Sequence, residues 1–267
     1  MSPTSETYLF RSRPCLSVLV AVLLASSGVA IAQPFDHGHT AWTEVLTRHV
    51  ANDGGITVVD YAAIQADASG LERYVDVVTR VTPAQFETWS EPQRLAFLIN
   101  AYSALTVTLI VDNYPTTSIK DLGGWFSSPW KQRFFTLLGQ ERHLDDIEHG
   151  MIRAQFDESR IHFAVNCAAS GCPPLRAEAY VASRLDDQLE DNARVFLREI
   201  RRNRYENGTL WLSELLDWYE SDFARRGGSL KTFVAARLTD NPAAGAAIAG
   251  PKTRVRFLDY DWTLNGR

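Results

Sequence analysis

EPQRLAFLINAYSALTVTLIVDN, residues 91–113, decides how the rest of the chain is read. Its apolar residues fall on nearly every face of a helix, which marks a segment buried on all sides. Pro92 suits the first turn, where its missing N–H costs nothing, and Tyr114-Pro115 ends the run. Within it, Asn100, Tyr102, Ser103, Thr106 and Thr108 argue for a core helix rather than a membrane span. A buried amide needs partners, so Asn100 either ties neighbouring backbone together or lines a site.

Working outward, Trp42, Val45, Leu46 and His49 mark a helix over 41–50, stopped by Asn52-Asp53-Gly54-Gly55. A short strand is expected at 56–59, a helix around 71–78 and a helical turn after Pro83. Asp145 followed three residues later by Glu148 matches a reciprocal cap for a helix over 146–156. Residues 161–166 read as a strand and 179–198 as an amphipathic helix. A hairpin is expected near Asn207-Gly208, with helices at 212–223 and 230–238, a tied-down small-residue loop at 241–251, and a strand at 254–260. The expected fold is α+β, one mostly helical domain around a small sheet that includes 161–166 and 254–260.

The chain has 267 residues and a formal net charge of −5, which argues against a general nucleic-acid surface. Arg11 and Arg13 precede an apolar run at 16–24, and Ala30-Ile31-Ala32 follows as a small-x-small site. That pattern predicts a signal peptide over 1–32 cut before Gln33, with a retained anchor as the competing reading. A flexible tail at 33–40 and a domain at 41–265 would follow. The protein is then periplasmic or secreted, with no stable membrane insertion after cleavage. There is no phosphate-cradling glycine loop, no Gly-x-Ser-x-Gly elbow and no His-Glu-x-x-His pair.

Chemistry concentrates between Glu148 and Cys172. Loss of Cys15 with the leader leaves Cys167 and Cys172, five residues apart. One reading makes Cys167 the nucleophile of a hydrolase or acyl-transfer site. His149 is then its base, because strand alternation would turn His162 away, and Asn100 and Glu148 complete the candidate set. A second builds a zinc site from His149, His162, Cys167 and Cys172; otherwise no cofactor is expected. The third closes Ala168-Ala169-Ser170-Gly171 with a Cys167–Cys172 disulfide or leaves two inert buried thiols. The aromatic loop 125–130 offers a rim for an unidentified small molecule or peptide, so a binding or interaction module stands beside the enzyme reading.

Several ordered motifs resemble the family called domain of unknown function 547, found in bacterial exported proteins. They are QRLAFLINAYSALT (93–106), Tyr114-Pro115, Ser118-Ile119, Ser128-Pro129-Trp130, LDDIEHG (144–150), RIHFAVNCA (160–168), GCPPL (171–175) and LDYDWTLN (258–265). The resemblance implies one domain from about residue 40 to 265 and no particular reaction. It marks Asn100, Glu148, His149, His162, Asn166, Cys167 and Cys172 as site residues. Ser103 stands where the family pattern usually has Asn.

Overall fold

The computed structural model describes residues 34–53, 56–124, 127–225 and 228–266; the expected leader at 1–32, Gly54-Gly55 and the rings of Trp125 and Phe126 lie outside them. The chain opens with helix α1 (Thr40–His49), the antiparallel pair β1 (Val50–Asp53) and β2 (Ile56–Val59), then helices α2 (Tyr61–Ala66), α3 (Ser69–Thr79) and α4 (Pro83–Glu87). All pack around α5 (Glu91–Asp112), the long helix read from the sequence. Ser90 and Gln93 close its start reciprocally: the Ser90 N–H donates to Gln93 Oε1 at 2.9 Å and the Gln93 N–H to Ser90 Oγ at 3.4 Å. By length and composition α5 could cross a membrane, yet 89% of its most apolar window is buried inside the protein. Asn100 lies within that burial and ties backbone. Its Nδ2 donates to Tyr180 O at 2.7 Å, and its Oδ1 accepts from Tyr180 N at 3.0 Å.

Hairpin β3 (Phe135–Leu137) and β4 (Gln140–Arg142) leads to a wide π-helical turn at Asp146–Ile152, continued by α6 (Arg153–Gln155). The second half comprises α7 (Leu185–Arg198), β5 (Arg204–Glu206), β6 (Thr209–Ser213), α8 (Leu215–Trp218), α9 (Glu220–Phe223), α10 (Leu230–Leu238), α11 (Pro242–Ala249) and β7 (Arg254–Leu258). β6 pairs antiparallel with β5 and parallel with β7. This mostly helical α+β arrangement agrees with the sequence, but its sheet does not contain 161–166. Those residues form a 3-10 turn at Ser159–Phe163 and then irregular backbone. All six are buried, so the alternation of Ile161, Phe163 and Val165 carried no information about an exposed face. Ile161, Ala164 and Val165 join the core around α5, whereas Phe163, Ala169 and Cys172 join a second core under α7, β6 and α10. The segment is the seam between two apolar cores.

Three further expectations change. Residues 241–251 contain α11 rather than a loop, because Asn241 Oδ1 accepts from the N–H groups of Ala243 and Ala244 and Pro242 follows in the first turn of an alanine-rich stretch. The Asp145 cap is not made. Instead, His143 and Asp146 bond reciprocally, His143 N to Asp146 Oδ2 at 3.1 Å and Asp146 N to His143 Nδ1 at 3.0 Å. Phe35 and His39, expected in a flexible tail, pack against the helices: the Phe35 ring lies 4.9 Å from Trp89 and 5.4 Å from Phe97, and buried His39 hydrogen-bonds Tyr74 at 2.7 Å.

The last residues form a strap. Asn265 N donates to Ala168 O at 3.1 Å, Val59 N to Asn265 O at 2.9 Å, Leu264 N to Thr117 O at 2.8 Å and Gly171 N to Asp261 O at 2.7 Å. At Gly171 a Cβ would stand 2.9 Å from Asp261 O, so only glycine permits this approach.

Asn100→Leu should cost about 3 kcal/mol, since it strands a buried N–H and a buried C=O of Tyr180; an unchanged urea midpoint would contradict the role. Burial draws the His39 pKa down to about 4, so below about pH 6.5 the unfolded chain takes up a proton that the folded chain refuses. Stability tied to His39 is therefore full above that pH and lost as pH falls toward 4. Between pH 7 and 5 the parent protein should lose about 2 kcal/mol more than His39→Asn, read from paired denaturation curves.

Candidate functional site

Where the seam meets the strap lies a cavity of about 260 Å³, lined by residues from both cores. The π turn turns Glu148 into it. The Tyr219 hydroxyl donates to Glu148 Oε1 at 2.6 Å, and Tyr102, from α5, lines the cavity with the same carboxylate. Burial, followed by the Glu148 charge, raises the pKa of both phenols above the usual range. Both therefore stay protonated. Glu148 is thus a cavity group rather than the helix cap that its spacing suggested.

His162 lines the same cavity and is 1% exposed. Its ring stacks on Tyr219 with centroids 3.7 Å apart, and its Nε2 lies 2.8 Å from Asp222 Oδ2. Burial lowers the His162 pKa. A neutral ring bonding a carboxylate places its proton on Nε2 and leaves Nδ1 as an acceptor, which finds no hydrogen-bond partner among the described residues. Asp222 also accepts from Arg153 Nε at 2.8 Å and Arg225 Nη2 at 2.9 Å. The His162 hydrogen bond first, and the Arg153 bond with it, hold the Asp222 carboxyl well below the usual carboxylate range. His149 sits at the rim. Its Nδ1 is 3.0 Å from Arg153 Nη1, which can only donate, and its Nε2 is 3.7 Å from Asp145.

The far wall is aromatic. Trp218, Tyr260 and Trp262 lie within 5.7 Å of one another centre to centre, and Trp130 meets Trp262 at 5.7 Å. Cys167 closes the wall, bonded to Cys172 in a disulfide with Cα atoms 6.2 Å apart. The Tyr260 hydroxyl contacts both sulfurs, at 3.3 Å from Cys167 and 3.2 Å from Cys172. Between the cysteines Ala168 adopts φ 61°, held by its N–H on Asn166 Oδ1 at 2.9 Å and by the strap on its carbonyl. A left-handed alanine costs about 1 kcal/mol, which the ring closure and these bonds offset.

Residues 86–197 match the family described as Protein of unknown function, DUF547. No curated protein and no solved structure matches the chain. The DUF547 match takes in Tyr102, Trp130, Glu148, His149, His162 and both cysteines, while Trp218, Tyr219, Asp222, Tyr260 and Trp262 lie beyond it.

The structure thus brings Glu148, His149, His162 and Cys167 to one cavity and leaves Asn100 on Tyr180. Strand parity, used against His162, fails because there is no strand. The sulfur of Cys167 is bonded, so it is not the thiolate that the hydrolase reading needs. Nor, among the described residues, do three or more His, Cys, Asp or Glu side chains converge to hold a metal, which removes the zinc set. Sequence reasoning missed Asp222, Tyr219 and Trp218. The spacing of WYESD, which sets Asp222 three residues after Tyr219, was the available signal.

The intact mass without reductant should be two hydrogens below that of the reduced chain. Removing the bridge with Cys167→Ala and Cys172→Ala should lower stability by about 2 kcal/mol for so small a ring. Rapid maleimide labelling of Cys167 in unreduced protein would return the nucleophile.

Proposed function

We propose that the chain is a binding module and that this aromatic cavity is its ligand site. One observation carries the reading: aromatic walls surround a carboxylate held by the Tyr219 phenol, while the nearby sulfurs are joined to each other. Concave, largely apolar sites with a few fixed polar groups are the usual form of small-ligand sites. Export belongs to the same reading, because a cystine loop persists in oxidising compartments.

A melting-temperature survey of the full chain against sugars, amino acids, short peptides and amines tests this. At least one class should raise the midpoint of the parent protein, and Trp218→Ala, which trims an exposed wall, should lose most of that rise. Ligand-induced shifts identical in the two proteins, or none in any class, would overturn the proposal. The mass measurement also reads export, since cleavage before Gln33 removes residues 1–32.

A further inference from the structure

We propose that the cavity receives an organic cation, a methylated ammonium group set between the aromatic wall and Glu148; this rests on the cavity being a ligand site. Among the described residues, the side chains lining it are mainly aromatic and apolar, with Asp145, Glu148 and two histidines as the titratable groups besides tyrosines, and no lysine or arginine. Glu148, 7% exposed, accepts from the Tyr219 hydroxyl and has no ion-pair partner within 4.0 Å among the described residues. Among the same residues Asp145 has only the outlying Lys131 ammonium at 3.8 Å, on a side chain 65% exposed, and the His149 nitrogen. An anionic ligand would meet two carboxylates; a cation would meet a ring quadrupole and a fixed counter-charge.

The wall already behaves this way. Lys120 holds its ammonium 3.9 Å from the centre of the Trp262 ring. Trp218, 42% exposed, leaves indole surface facing water at the mouth. Methylated ammonium groups are weakly hydrated compared with a lysine head and fit such rings with little desolvation cost. His162, its pKa lowered by burial, adds no positive charge to the lining.

The test titrates the full chain by calorimetry with choline and with 3,3-dimethylbutan-1-ol, its uncharged isostere, at constant ionic strength. Choline should bind at least about tenfold more tightly than the alcohol. Glu148→Gln, which can still accept from Tyr219, should weaken choline about tenfold and leave the alcohol unchanged; Trp218→Ala should weaken both. Melting curves establish that each variant is folded, and Trp218→Ala serves if Glu148→Gln is not. Equal affinity for the two probes would overturn the cation and leave the cavity as a ligand site. Binding of neither would also overturn it, and the survey of sugars, peptides and amino acids then decides the binding reading separately.

Discussion

Buried backbone outside helices and strands must still find hydrogen bonds, and side-chain amides meet that requirement throughout this protein. Asn100 holds both backbone groups of Tyr180; Gln188 accepts from Val181 N and donates to Ala179 O. Asn192 donates to Phe163 O and to Pro174 O, and Asn166 to Pro173 O. Each unpaired carbonyl would cost about 1–3 kcal/mol in such surroundings. These amides let residues 159–181 run irregularly through the interior, and that irregular path allows one segment to serve two cores and a cavity.

The cavity's composition follows from its position. The seam contributes His162, Val165, Cys167 and Pro173, the π turn contributes Glu148 and His149, the first core contributes Tyr102 and Trp130, and the second half of the chain with the strap contributes Trp218, Tyr219, Tyr260 and Trp262. The disulfide sets the path of the Cys167–Cys172 loop, and the strap's backbone fixes that loop from outside. Stacked on Tyr219 and tied to Asp222, His162 links the two halves through Arg153.

Local chemistry made much of this legible. Pro92, Tyr114-Pro115 and the apolar residues on nearly every face of 95–111 announced α5, and the stripe of Leu185, Leu189, Ala193 and Phe196 announced α7, which begins at Leu185 rather than at 179. Asn207-Gly208 announced the β5–β6 turn. The illegible parts depend on long-range partners. Nothing local to 161–166 shows that both of its sides are covered, and nothing near Glu148 reveals a phenol 71 residues away. Cys167 and Cys172 advertised chemistry, but their spacing left a bridge, a nucleophile and a metal all open. In 241–251 the small-residue composition points to a loop, but the Asn241 cap and Pro242 in the first turn make a helix.

The strap also sets an order of events. Tyr260 and Trp262 leave a ribosome after Glu148, His162 and the cysteines, Tyr260 following Cys172 by 88 residues and Cys167 by 93. During synthesis the early wall therefore waits, with its carboxylate and sulfurs uncovered, until the far wall arrives. A nascent chain can close the cystine loop before the aromatic wall exists, so oxidation can precede completion of the cavity, whereas a chain ended before Tyr260 carries the loop without the wall it supports.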